Sequence, residues 1–129
     1  MRFKDYFHAI LLISQSRKHL HFTMKKLKHN NFDRLINEKI DSTSKTYSID
    51  AIVKSYFWAS RTLPQCHCLP RSIALYQKLN ALGFLVEHKF GVNKFNKKLA
   101  AHAWVEYENS PLNEPKDLRN RFTVLEKID

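Results

Sequence analysis

The chain has 129 residues, the length of one domain with a core of its own. Its 43% hydrophobic and 12% aromatic content excludes an intrinsically disordered chain. The formal net charge of +10 is compatible with an acidic peptide, an anionic surface or a nucleic acid as partner. Because no nucleic-acid recognition motif accompanies the charge, we expect no nucleic-acid function.

The positive charge lies mainly in the amino-terminal part of the chain. Residues 1–46 hold ten Lys and Arg against four Asp and Glu, whereas residues 47–129 hold twelve against eight. We therefore divide the single domain 1–129 into a basic, helical part at 1–46 and a core at 48–129. A solvated helix face explains the basic residues 17–28 most simply, and contact with an acidic peptide or protein is the alternative.

The apolar run near the start of the chain does not have the features of a targeting signal. Within residues 1–22 the run is short, and no small-residue cleavage site follows it. No stretch approaches the roughly 20 apolar residues of a membrane span. We predict instead a first helix over residues 3–20 that packs on the core. The predicted packing face contains Phe3, Phe7, Ile10, Leu11 and Ser14.

Two further helices are predicted before the middle of the chain. The stretch Asn31-Phe32-Asp33 is predicted to cap a short helix over residues 33–40, and the Ser/Thr-rich residues 41–45 form a loop. Ser48 is a favourable N-cap for a third helix over residues 49–62. The apolar face of that helix contains Ile52, Val53, Tyr56, Phe57 and Ala59.

The stretch from Cys68 to Gly83 predicts an amphipathic helix with a cysteine at its start. Pro70 suits the first turn, and Gly83 suits the left-handed residue after the last turn. The free N–H groups and the positive dipole end of a helix N-terminus stabilise a thiolate, the nucleophilic form of cysteine. The apolar face contains Ile73, Leu75, Tyr76, Leu79 and Leu82.

The carboxyl-terminal third predicts an antiparallel sheet. Strands are expected at 84–92 and 100–108, joined by a lysine-rich hairpin loop at 93–98. A short strand near Leu112 and a last strand within 122–126 follow. Helices followed by a sheet make an α+β domain, with the Cys68 helix packed on the sheet.

The two cysteines, Cys66 and Cys68, are too close in sequence for an ordinary disulfide, which favours a reducing, cytoplasmic setting. Cys66, His67 and Cys68 would offer zinc three ligands and His102 a remote fourth, but structural zinc sites commonly use paired C-x-x-C spacings. We therefore predict no metal and no cofactor. His19, His21 and His29 also lack ligand spacing and are predicted to be exposed.

His102 lies in the middle of the second strand, where its imidazole can serve as the base of a cysteine–histidine pair with Cys68. A third group should orient the imidazole. Asn113 and Glu114 follow a predicted turn at 109–111. Glu106 is an alternative, because it shares a strand face with His102. A plain buried cysteine remains the non-catalytic interpretation of Cys68.

The motifs Cys-Leu-x-Arg-Ser-x-Ala-Leu from Cys68, Ala-His-Ala-Trp-Val-Glu around His102 and Leu-Asn-Glu-Pro around Glu114 resemble the leader peptidases of lasso-peptide biosynthesis. These microcin-processing enzymes have a transglutaminase-like, papain-related cysteine peptidase fold. The resemblance covers residue 48 to the carboxyl terminus. It implies that Cys68 is the nucleophile and His102 the acid and base.

The resemblance implies that Glu114 is the orienting residue, because the family has an aspartate twelve residues after the histidine. Here that position holds a glutamate, so Asn113 and Glu106 stay as alternatives. The backbone N–H of Cys68 is a candidate oxyanion donor. Gln65 and Trp104 are candidates for a second donor.

The implied substrate is a ribosomally made lasso precursor peptide from which the leader is removed. The family captures the leader with a small recognition domain, which this chain is predicted to lack. We therefore expect a separate leader-binding protein, an ATP-dependent ring-closing enzyme alongside, and a role for residues 17–28 in recruitment. The alternative function is a non-catalytic transglutaminase-like domain that binds a peptide or protein. Hydrolysis and acyl transfer to an amine share one acyl-enzyme, so the sequence does not separate them.

Overall fold

The computed structural model describes residues 3–40, 47–95, 98–115 and 117–125, and these form helices followed by a small antiparallel sheet. The α+β prediction is confirmed. The sheet has the strand order β3-β2-β1-β4, with β1 and β2 paired along their full length. The elements are α1 (Phe3–Leu27), α2 (Phe32–Ile36), α3 (Ile49–Arg61), α4 (Cys68–Ala81), β1 (Val86–Phe95), β2 (Lys98–Tyr107), β3 (Ser110–Pro111), α5 (Leu118–Arg121) and β4 (Thr123–Leu125).

Several predicted boundaries are confirmed by the capping contacts. The side chains of Asn31 and Ser48 accept hydrogen bonds from the backbone N–H groups of Arg34 and Ala51, as N-caps of α2 and α3. Gly83 follows α4 with φ of +92°, the left-handed conformation expected there. The loop predicted at 41–45 lies outside the described residues. Helix α2 is shorter than predicted, and the β1 strand continues into the predicted loop as far as Phe95.

The predicted packing face of α1 is wrong. Ile10 and Leu11 are 65% and 37% exposed, and the side chains of Phe3 and Phe7 lie outside the described ones. The helix also runs to Leu27, and its buried face contains Leu12, Ser16, Leu20 and Thr23. Ser16 and Thr23 can be buried because each hydroxyl donates to the carbonyl oxygen four residues earlier. These small side chains let α1 approach α3 closely, and the Ser16 and Ser55 oxygens lie 3.0 Å apart.

His19 is also placed differently from the prediction of an exposed side chain. Its ring bridges two helices, with Nδ1 next to the Tyr56 hydroxyl and Nε2 2.8 Å from Gln77 Oε1. Gln77 Nε2 donates to the carbonyl oxygen of Leu35, so Oε1 is the atom that accepts from His19. Burial lowers the pKa of His19, which keeps the ring neutral in this chain of bonds. The network ties α1, α2, α3 and α4 together.

Helix α4 is central because apolar residues on most of its circumference are buried. Leu75 and Leu79 pack in one core with α1, α3 and Val105 of the sheet, and Ile73 packs in a second cluster with α2. Ala103 and Val105 occupy the helix-facing side of β2. His102 and Trp104 therefore occupy the opposite side, toward the segment that contains Phe122.

Gly91 on β1 is required by this packing, and its substitution tests the placement of β2. It lies opposite His102, and an added Cβ would lie 2.7 Å from Phe122 Cβ and 2.8 Å from the Trp104 ring. We expect Gly91→Ala to lower the free energy of unfolding by about 1–3 kcal/mol through overpacking, measured by urea denaturation. Gly83→Ala is the comparison variant. A Cβ added at Gly83 meets no atom within 4 Å, so its effect on stability comes from backbone strain alone. An unchanged urea midpoint for Gly91→Ala would contradict this packing.

Candidate active site

The structure places Cys68 at the first residue of α4, as the sequence predicted. Pro70 occupies the first turn, and the backbone N–H of Arg71 donates to the carbonyl oxygen of His67. The backbone N–H groups of Cys68 and Leu69 lie in the first turn of the helix, where N–H donors have no acceptor within the helix. Gln65 in the preceding elbow has φ of +64°, which turns the chain sharply into the helix. The thiol therefore lies at the positive end of the α4 dipole.

His102 on β2 lies between Cys68 and Glu114. Its Nε2 is 2.9 Å from Glu114 Oε1, and its ring lies close enough to the Cys68 side chain for the two groups to shift each other's pKa. Because Nε2 is engaged by the carboxylate, Nδ1 is the nitrogen left for the thiol. The backbone N–H of Ala103 also helps to lower the pKa of Cys68, an interaction that the sequence did not indicate. His102 is thus the group that interacts with both of the other residues proposed from the sequence.

The electrostatics of this cluster favour a charged pair. The hydrogen bond to His102 lowers the pKa of Cys68, with help from the Ala103 N–H and against partial burial. The hydrogen bonds to Cys68 and then to Glu114 raise the pKa of His102 to about 9. The pKa of the thiol falls and the pKa of the imidazole rises because a thiolate and an imidazolium stabilise each other. The arrangement can supply a nucleophile and a proton donor together.

A family model described as the transglutaminase-like superfamily matches residues 33–127. The chain belongs to this superfamily. No curated protein and no solved structure matches the chain. The match begins at α2 and covers Cys68, His102 and Glu114. Superfamily members are in general built on a cysteine peptidase-related fold.

In this transglutaminase-like domain, Glu106 does not contact His102 in the way that Glu114 does. Glu106 is 2% exposed, and its Oε2 accepts from Trp104 Nε1 at 2.8 Å. The Trp104 N–H is therefore engaged, and the expectation that it is a second oxyanion donor is wrong. Asn113 is exposed with φ of +53°, and Gln65 is exposed.

Arg71 is a charged group next to the cluster that sequence analysis did not single out. Its guanidinium lies 4.0 Å above the centre of the Phe57 ring, and Nη2 lies 4.0 Å from Glu114 Oε1. The signal was its position three residues after Cys68, which places both on one side of a helix.

Burial raises the pKa of Cys66, so this second thiol differs in character from Cys68. Among the described residues, no group of three or more His, Cys, Asp or Glu is arranged to hold a metal.

Replacement of Glu114 tests its effect on His102. In Glu114→Gln the carboxylate charge is lost, so we expect the pKa of His102 to fall by about one unit from its raised value. The measurement is an NMR titration of the imidazole, assigned with His102→Ala. Glu114→Asp is the matched variant, since it keeps the charge but shortens the side chain by one methylene, and an intermediate value is expected. An unaltered His102 titration in Glu114→Gln would contradict the contact.

Proposed function

We propose that the protein is a cysteine peptidase that removes the leader from a ribosomally made lasso precursor peptide. One observation carries the peptidase part of the proposal: Cys68 and Glu114 both contact His102, with the thiol at a helix N-terminus. The resemblance in the motifs around Cys68, His102 and Glu114 supports the choice of substrate. A glutamate in place of the family's aspartate is compatible with the role, because its carboxylate reaches His102.

In the proposed reaction the Cys68 thiolate attacks the carbonyl carbon of the scissile peptide bond. The bond to nitrogen breaks as the His102 imidazolium gives its proton to the leaving amine, which leaves a thioester and a neutral imidazole. The imidazole then takes a proton from water, the hydroxide attacks the thioester, and the Cys68 thiolate leaves. Glu114 stays ionised throughout and orients the ring. The backbone N–H of Cys68 is the proposed donor to the oxyanion.

A groove has room for part of a peptide, although Cys68, His102 and Glu114 do not line it. It lies between α1 and α3, has a volume of about 710 Å³ and is lined mainly by apolar side chains. Asn113, next to Glu114 in the chain, lines one end. Phe57 lines both the groove and a small cavity under Arg71 and Glu114. A volume of this size is typical of ligand pockets.

We propose that leader capture and ring closure are performed by a separate leader-binding protein and an ATP-dependent enzyme in a cytoplasmic setting. Within the described ranges, no helix combines the length and apolar character needed to cross a bilayer. Arg17, Lys18 and Lys25 are exposed on α1, Lys28 is exposed in the turn after it, and these four residues are the proposed recruiting face. Lys26 is less available, because it pairs with Glu38. Unchanged partner binding at low salt after replacement of these four by Gln would contradict recruitment by charge.

The test of the proposed function uses a lasso precursor, its leader-binding protein and this chain, with products read by mass spectrometry. We expect two fragments whose masses sum to the precursor plus one water, and no fragments with Cys68→Ala. A product extended by an added amine would indicate acyl transfer instead. If the wild-type chain binds the precursor complex and leaves the peptide intact, the proposal fails and a non-catalytic binding domain replaces it.

A further inference from the structure

The Arg71 side chain extends from α4 toward Glu114, and its charge also interacts with Cys68. Only 20% of it is exposed, and the carboxylate that it faces is 10% exposed. The 4.0 Å separation from Glu114 Oε1 is too long for a hydrogen bond, so the interaction is between charges. The Phe57 ring on α3 supports the guanidinium from the other side at 4.0 Å. These two contacts hold the Arg71 guanidinium in position.

The charges of the cluster balance only when Arg71 is included. A Cys68 thiolate and a Glu114 carboxylate contribute two negative charges, while the His102 imidazolium contributes one positive charge. Arg71 supplies the second positive charge, and arginine keeps its charge throughout the pH range of proteins. A partly buried site with one uncompensated negative charge would disfavour formation of the thiolate.

Among the described residues, two other ionisable groups lie close to Arg71, and neither is shown to compensate this charge. Cys66 precedes α4, and burial raises the pKa of its thiol, which favours the neutral form. The charge of Arg61 on α3 acts on Arg71, but it is not among the groups that shift the pKa of Cys68. The positive charge of His102 already interacts with both Cys68 and Glu114.

We propose that Arg71 is a positioning residue, which holds the Glu114 carboxylate toward His102 and stabilises the Cys68 thiolate by its charge. The proposal rests on the cysteine–histidine pair of the proposed function but not on the identity of the substrate. The direction of the electrostatic effects agrees with it, since Arg71 is one of the groups that lower the pKa of Cys68. Burial lowers the pKa of Arg71, and the negative charges of Glu114 and then Cys68 act in the opposite direction.

The test is the rate of Cys68 alkylation by iodoacetamide against pH, resolved from Cys66 by peptide mass mapping. We expect Arg71→Gln to move the midpoint of the rate upward by about one pH unit, because an opposite charge is lost near the thiolate. Arg71→Lys keeps the charge and is expected to retain most of the wild-type profile. Arg61→Gln is the matched control, as it removes a second ring-stacked arginine, and its profile should equal that of the wild type.

The result that overturns the proposal is a folded Arg71→Gln protein with the wild-type midpoint. Arg71→Met keeps a long side chain against Phe57 without the charge, so it gives the same test if the Gln variant does not fold. An equal shift in Arg71→Lys and Arg71→Met would also overturn it, because charge would then not be the cause. No precursor is used, so a failure here is separate from a failure of leader cleavage. An ordinary midpoint in the wild type would overturn both the thiolate pair and the role of Arg71.

Discussion

Replacement of His102 by alanine is expected to reduce peptide cleavage by about a hundredfold to ten-thousandfold, the range assigned to general acid–base catalysis. Two losses act together. No imidazolium remains to protonate the leaving amine, and Cys68 loses the contact that contributes most to its lowered pKa. The pKa of Cys68 should then return toward about 8.5, the value of a free cysteine, and the thiolate fraction at neutral pH should fall accordingly. The measurement is the initial rate of precursor cleavage with the leader-binding protein in excess.

His67→Ala is the control for the effect of removing a histidine close to Cys68. His67 is the N-cap residue of α4, its side chain is exposed, and it makes no side-chain capping bond. Its replacement should leave the cleavage rate within about twofold, since exposed substitutions away from specific contacts change little. If His102→Ala retained a tenth or more of the wild-type rate, the proposed role of His102 would be wrong.

Replacement of Trp104 by alanine is expected to have the largest effect on stability, a loss of about 3–5 kcal/mol in the free energy of unfolding. The side chain is 1% exposed. Its ring stacks against the His102 ring at 5.8 Å with an interplanar angle of 21°, and the Phe122 ring contacts both of them. Truncation would leave a cavity next to His102, so the site should lose order together with the core.

Trp104→Phe separates the contribution of ring packing from that of the indole N–H hydrogen bond. It keeps most of the ring volume and removes the N–H that donates to Glu106. A hydrogen bond to a charged group contributes about 1.5–3 kcal/mol, so a loss in that range is expected. Urea denaturation followed by circular dichroism measures both variants. A loss below about 1 kcal/mol for Trp104→Ala would contradict the close packing of this region.

The features that the sequence predicted are those set by short-range rules. The caps at Asn31 and Ser48, the proline and glycine that bound α4, and the alternation along β2 each depend on neighbouring residues. The superfamily match at residues 33–127 agrees with the transglutaminase-like fold that the resemblance in the motifs implied. Cys68 could be placed at a helix start without any knowledge of its neighbours in space.

The features that the sequence did not predict depend on contacts between distant elements. The buried face of α1 includes Ser16 and Thr23, whose hydroxyls bond to the helix's own backbone. The spacing of apolar residues therefore indicated the wrong face. His19 is buried because Tyr56 and Gln77, on two other helices, satisfy its ring. Periodicity places residues on faces but does not state which polar groups find partners.

The choice of the carboxylate next to His102 shows the same limit. Strand alternation placed Glu106 and His102 on one face, and Glu106 is instead bonded to Trp104, which lies between them in sequence. Glu114 reaches His102 because the chain after β3 returns to this side of the sheet. The family spacing indicated Glu114, whereas the residues alone left Asn113 and Glu106 as alternatives.

The measurement that tests the central claim most directly is the pH dependence of iodoacetamide labelling at Cys68 in the wild-type protein, with Cys66 as the internal comparison. The account predicts rapid labelling of Cys68 well below the ordinary thiol pKa of about 8.5. It predicts slow labelling of Cys66 until the pH is high, because burial raises the pKa of that thiol. Equal profiles for the two cysteines, or a Cys68 midpoint at the ordinary value, would contradict a thiolate held by His102.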